Sequence, residues 1–184
     1  MKDLVRYSIL ATFLKRLEEK WAGRYFGMTI VQKLMYFFTQ VEKADIPDYT
    51  FKFYHYGPYC DQLDTDLRVL DAAGVIAIES EGEGSGFKIR TKDLDRLPAE
   101  LAQEFWTSHM VSFEKSVELF GFRKPQDFEL LATIHFVFHA LCKESEGNTE
   151  QVVSLVKSLK PKFDEKRIKE EYDFLDNKNL LTCT

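Results

Sequence analysis

Cysteine is scarce in this chain of 184 residues: Cys60, Cys142 and Cys183 are scattered without a C-x-x-C spacing. An odd, dispersed set fits a reducing compartment better than a disulfide framework. Glycine (9) and proline (5) are also few, which excludes a disordered or low-complexity chain. No stretch approaches 18 uncharged apolar residues, and Lys2, Asp3 and Arg6 charge the amino terminus before any apolar run could act as a signal sequence. Neither secretion nor membrane spanning is indicated, so the expected compartment is the cytoplasm. A basic excess is missing as well. The balance of 25 Lys and Arg against 30 Asp and Glu gives a net charge of −5. Chains that wrap nucleic acid usually carry the opposite sign, because phosphate neutralisation supplies most of their affinity.

What is present is core. Hydrophobic residues make up 45% of the chain and Phe alone occurs 16 times, so burial of about 70% of the surface is within reach at this length without help from metal or disulfide. The charge is uneven: residues 1–60 hold 9 basic and 6 acidic side chains, whereas residues 61–100 hold 5 and 10.

From Leu4 to Trp21, apolar residues recur three and four apart, as in an amphipathic helix. Gly23 and Gly27 break it, and Thr29 with Gln32 reads as a capping box for a second helix through Val41. The aromatic run Tyr49 to Tyr56 predicts a short strand. Gly57-Pro58 then predicts a helix start, with Gly at the cap and Pro at the first helical position, and Gly74 a helix stop. Val75–Ile78 and Phe87–Thr91 flank the Gly-rich segment 81–86 and predict a hairpin. Further helices are expected from Leu97-Pro98 to Leu119, from Phe128 to about Lys143, from Thr149 to Leu159 and from Asp164 to Asp176. The helix end Leu70-Asp-Ala-Ala-Gly74-Val-Ile76 is echoed by Leu175-Asp-Asn-Lys-Asn179-Leu-Leu181. In each, a residue able to adopt positive φ precedes two aliphatics, a rhythm that helix C-caps alone can produce.

The fold class expected is mainly α with a small β-hairpin. Residues 1–95 read as a winged helix-turn-helix-like unit, packed on an all-helical unit over 96–184 that carries a second, wingless helix-turn-helix-like motif, the two forming one globule.

Gln32-Lys33-Leu34-Met35-Tyr36-Phe37, Tyr54-His55-Tyr56-Gly57-Pro58-Tyr59-Cys60 and the helix end Leu63, Asp66-Leu67, Leu70, Gly74-Val75-Ile76 together resemble the YwgA-like family, kin to the Panacea-domain proteins of bacteria, archaea and phages. The match covers residues 28–78, and Glu129–Ile134 looks like a second family block. The resemblance implies a helical, winged-helix-like fold without known enzymatic activity, and in the Panacea relatives antitoxin and protease-adaptor roles exercised through protein contacts. Cys60 departs from the pattern, where Ser is expected.

The Tyr54-His55-Tyr56-Gly57-Pro58-Tyr59 turn is the most specific motif, a candidate partner-binding cluster because exposed aromatics carry interface energy. The alternative is that its tyrosines pack beneath a Gly-Pro turn. We expect Tyr59 to pack, and His55 with Tyr56 to be the more exposed pair. Cys60, placed in the first helical turn, would have its thiol pKa lowered by the helix dipole. It is nonetheless read as inert, since catalysis needs a base and His55 is the only one near in sequence.

His135, His139 and Cys142 share one helix face at a spacing that can hold zinc. The set lacks the Glu of H-E-x-x-H, and Phe128 and Leu131 share the face, so partly buried structural histidines are the preferred reading and no metal is expected. The segment 82–86 lacks the Lys-Ser/Thr of a phosphate loop, and no cofactor is expected. For DNA, Lys88, Arg90 and Lys92 along the second wing strand and Arg68 on the recognition-type helix are the candidate contacts. That helix also carries Asp61, Asp64, Asp66 and Asp71, with Gln62 its one base reader. The leading expectation is a non-enzymatic protein-interaction module with a protein partner; the alternative is a winged-helix DNA-binding transcription regulator.

Overall fold

Seven α-helices and two antiparallel two-stranded sheets occupy the described part of the chain: α1 (Lys2–Lys20), α2 (Met28–Gln40), β1 (Lys52–Tyr54), β2 (Gly57–Tyr59), α3 (Asp61–Ala72), β3 (Ile76–Ser80), β4 (Phe87–Thr91), α4 (Gln103–Phe120), α5 (Pro125–Cys142), α6 (Thr149–Leu159) and α7 (Glu165–Asn177). Two short 3-10 turns, Leu94–Arg96 and Ala99–Ala102, lead into α4. The structure is a computed structural model that describes residues 1–22, 24–80, 86–121, 123–143 and 148–183. The expected break at Gly23 and most of the Gly-rich hairpin tip lie outside the described residues. No helix among those described is long and apolar enough to cross a membrane.

The chain forms two compact units, Met1–Phe51 with Cys60–Arg123 and Lys52–Tyr59 with Lys124–Thr184. This differs from the division at residue 95. Helix α4 belongs with the first unit because its rings fill that core: Phe113 meets Phe13 edge-on at 5.3 Å, and Phe120 stacks on Phe37 at 4.0 Å. Such contacts add about 0.5–1.5 kcal/mol beyond simple burial. The β1–β2 ribbon belongs with the second unit, where Phe53 packs on Phe136 of α5 at 5.6 Å.

In the first unit, the segment entering α2 runs beside β4, with Ile89 N–H donating to the Phe26 carbonyl at 3.0 Å. Gly27 permits the approach, since a Cβ there would come within 2.2 Å of the Phe87 oxygen. The capping box expected at Thr29 and Gln32 does not form: Gly27 is the N-cap without a side-chain bond. Gln32 is instead buried, and its amide exchanges two 3.0 Å hydrogen bonds with the backbone of Cys60. A long-range pair of bonds outcompetes a local cap here because burial leaves a primary amide no water to bond.

One carboxylate ties α1 to α3. Asp66 is 0% exposed and accepts from Arg6 Nε (2.5 Å) and Nη2 (3.1 Å), Tyr49 Oη (3.0 Å) and Gln62 Nε2 (2.9 Å). The hydrogen bond to Asp66 raises the Arg6 pKa above its ordinary value, so the guanidinium stays charged at every accessible pH. Asp3 and Asp48 add ion pairs at 2.9 and 3.0 Å.

The second unit packs α5, α6 and α7 over Phe128, Leu131, Ile134, Val152, Val156, Ile168 and Leu175, all inaccessible to solvent. Asn148 and Gln151 form a reciprocal capping box on α6, and Asp164 caps α7 through the Arg167 amide at 2.7 Å. The echoed helix ends adopt one cap geometry. Gly74 (φ 71°) and Asn179 (φ 56°) both lie in the left-handed region, and in each the next amide bonds five residues back, Val75 to Leu70 at 2.9 Å and Leu180 to Leu175 at 3.0 Å. This is the Schellman arrangement, and it accounts for the repeated rhythm.

The cysteines depart from expectation. Cys142 and Cys183 are joined in a disulfide with Cα atoms 5.5 Å apart, leaving Cys60 as the free thiol. Their separation of 41 residues hid the pairing from sequence spacing.

Burial raises the phenols of Tyr36 and Tyr49, and the thiol of Cys60, above ordinary values of 10.0 and 9.0. Each group favours its neutral form in the fold, so its contribution is complete below the unfolded-state pKa and is lost as pH rises toward the folded one. Stability should therefore fall above about pH 10, by about 1.4 kcal/mol per pH unit for each buried phenol. Tyr36→Phe should flatten that alkaline slope in denaturant titrations at pH 8 to 11; an unchanged slope would show that Tyr36 is not held neutral.

Candidate functional site

The aromatic turn is the tip of the β1–β2 ribbon. Pairing of Tyr54 with Gly57 leaves His55 and Tyr56 as a two-residue loop, and Gly57 leaves the loop at φ 83°, a conformation that costs an L-residue about 1–2 kcal/mol. The expected helix start at Gly57-Pro58 is therefore corrected: both residues are in β2, and α3 begins at Asp61. Proline is tolerated because a two-stranded ribbon is all edge. The capping role passes to Cys60, whose Sγ accepts from the Leu63 amide at 3.4 Å. Its thiol pKa moves up, through burial, opposite to the dipole expectation. A buried neutral thiol that caps a helix is poorly suited to nucleophilic work.

Three side chains of the tip face solvent. Tyr54 is 57% and Tyr56 62% exposed, and His55 is exposed beside them, while Gly57 and Pro58 are buried and Tyr59 is half-buried. The Tyr54 ring leans on His55 at 4.7 Å and on Tyr59 at 5.6 Å. Tyr59 thus takes the supporting place and His55 with Tyr56 the outward one.

Support comes from below. Lys160, only 4% exposed, donates to the His55 carbonyl and pairs with Glu129 Oε1 at 2.9 Å. Its ammonium lies 5.8 Å from the Phe53 ring and 6.0 Å from that of Tyr56. Lys162 holds the other oxygen of Glu129 at 2.7 Å and lies 5.9 Å from Tyr56. Neither lysine was singled out from sequence. Lys160-Pro-Lys162 reads as a link between helices, and nothing in the sequence pattern joins it to a turn 105 residues earlier.

The DNA-facing set is dispersed. Asp66 does not face outward with Asp61, Asp64 and Asp71; it is buried against Arg6. Asp64 pairs with Arg68 at 2.8 Å, and Asp71 accepts from the Ile78 amide at 3.0 Å. Gln62, the expected base reader, is spent on Asp66. Lys88 is buried against the Tyr25 ring, Arg90 lies 5.0 Å from the same ring, and Lys92 is exposed. The hydrogen bond from Lys88 lowers the Tyr25 pKa.

His135 is buried and His139 half-buried, with ring centroids 4.3 Å apart. The His139 ring nitrogen Nε2 lies 3.3 Å from the Leu180 carbonyl. Because Cys142 is bonded to Cys183, it offers no thiolate to complete a zinc set.

No family model matches the chain, and no curated protein matches it.

The geometry orders the effects of substitution along the ribbon. Gly57→Val should cost about 1–2 kcal/mol by forcing a β-branched residue to positive φ, and Tyr59→Ala about 2 kcal/mol through lost packing. Tyr56→Ala should stay within about 0.5 kcal/mol. Chemical denaturation checks the ranking, and a Tyr56→Ala protein less stable than Tyr59→Ala would reverse the roles assigned to the two rings.

Proposed function

We propose that the chain is a non-enzymatic protein-interaction module of the YwgA-like and Panacea type, winged-helix-like in its first unit and acting as an antitoxin, adaptor or accessory factor. The observation that carries this reading is the tip of the β1–β2 ribbon, where Tyr54, His55 and Tyr56 stand in solvent on a backbone held by the buried Lys160. Exposed aromatics cost a monomer solubility, whereas rigid aromatic rings with few torsions to freeze supply binding energy at low entropic cost. In the order of elements, α3 and the β3–β4 hairpin follow α1 and α2, which supports the winged-helix comparison.

The alternative, a DNA-binding regulator using Lys88, Arg90, Lys92 and Arg68, is weaker. Helix α3 offers no free base reader, and two of the four cations are turned to Tyr25.

The test uses the full chain as bait, with the protein it enriches then purified and titrated. A Tyr54→Ala/Tyr56→Ala variant should melt like the parent and bind that protein at least about 30-fold more weakly, the loss of one hot spot. Equal affinity would remove the tip from the interface. Duplex DNA should bind no tighter than about 1 μM in 150 mM salt; nanomolar, sequence-selective binding would favour the regulator.

A further inference from the structure

The first unit contains a groove that the interaction reading leaves unused. It encloses about 620 Å³ between α1, the Ala99–Ala102 turn and α4, within the range of small-molecule sites. Much of its lining is apolar, from Ala99, Ala102, Met110 and the Trp106 ring. Four buried side-chain polar atoms among the described residues lack a hydrogen-bond partner, and two of them, Arg16 Nε and Trp106 Nε1, belong to this lining. They are neighbours: the Arg16 guanidinium lies over the Trp106 ring, 5.1 Å from its centroid. Buried donors without acceptors cost about 1–3 kcal/mol each and call for an explanation.

Both orphans donate and one carries a permanent charge, so an anionic acceptor is the group that fits them. A carboxylate has the geometry to take an N–H from a guanidinium edge and a second from an indole, once the flexible Arg16 side chain swings from the ring face. The neighbouring hydroxyls do not compete as donors, because Thr12 already donates to the Ser8 carbonyl and Thr107 to the Gln103 carbonyl, each at 2.8 Å. Exposed Glu100 also lines the groove, which disfavours a dianion such as phosphate and pushes a single negative charge toward Arg16. An adjoining concavity of about 440 Å³ shares Thr12, Arg16 and Ala99 and adds Lys15 together with Glu19 and Asp95, so its one further cation is offset by two carboxylates, and Trp106 with its orphan N–H does not line it.

We propose that this groove binds a small amphipathic monocarboxylate, its headgroup held by Arg16 and the Trp106 indole N–H and its apolar body laid along Ala99, Ala102 and Met110.

Calorimetric titration of the full chain with octanoate, octanol and inorganic phosphate tests this. Octanoate should bind with Kd near or below about 1 mM, the affinity that some ten heavy atoms can supply. Octanol and phosphate should each bind at least tenfold more weakly, showing that body and charge are both read. Arg16→Gln should weaken octanoate at least tenfold. Trp106→Phe, which keeps a ring in the core but removes the N–H, should weaken it several-fold. Thermal melts of both variants confirm that they fold. No octanoate binding at 10 mM, equal binding of octanoate and octanol, or an Arg16→Gln protein that binds octanoate like the parent would each overturn the proposal.

Discussion

A carboxylate with almost no access to water, Glu129, is met inside the second unit by two ammonium groups, one at each oxygen. Desolvating such a group costs several kcal/mol unless charge and hydrogen bonds replace the lost water. Of the two lysines, Lys160 is itself buried, so its remaining donors also need partners. One of them is the His55 carbonyl. The placement of an exposed turn is thereby fixed by an interior ion pair. The aromatic side chains remain in solvent because the backbone beneath them is not free to fold them inward, and Lys162, half in water beside Tyr56, continues the same cluster to the surface.

The first unit meets the same physical problem at Asp66. There a single guanidinium does most of the work, with a phenol and a primary amide completing the four acceptor sites. Such a pair is weak evidence for net stability, since a well-packed apolar substitute often does as well. What it supplies is geometry. Arg6 and Asp66 are 60 residues apart, and their bidentate contact allows few relative positions of α1 and α3.

Elements with strong local signals were legible in the sequence. Periodicity, with Gly and Pro as start and stop signals, located the seven helices of the described residues, and the range Thr149–Leu159 is that of α6. The paired strands β3 and β4 followed from alternation around glycine. The misreadings share one cause, a local motif overridden by a distant partner. Thr29 and Gln32 have the spacing of a capping box, but Gln32 is taken by Cys60. Gly57-Pro58 has the order of a helix start, but pairing with β1 makes it a strand. Asp66 looked like one of four outward charges until Arg6 was placed against it. Of the candidate site, the exposed ring pair was readable from composition and turn chemistry, whereas Lys160, Lys162 and Glu129 were not, because pairing between residues tens of positions apart leaves no periodic trace.

The claim on which the functional reading rests is that the Glu129–Lys160 pair holds the aromatic tip in place. A double-mutant cycle of Glu129→Gln and Lys160→Met, read by denaturant unfolding and by amide hydrogen exchange, tests it most directly. Glu129→Gln, which leaves the buried Lys160 ammonium without its counter-charge, should cost about 3–5 kcal/mol, Lys160→Met less because Lys162 still pairs with Glu129, and the pair should cost less than their sum by at least about 1.5 kcal/mol. In Lys160→Met, the amides of β1 and β2 should exchange at least tenfold faster than those of α6. Additive single effects, with ribbon exchange unchanged, would show that the tip keeps its place without the ion pair.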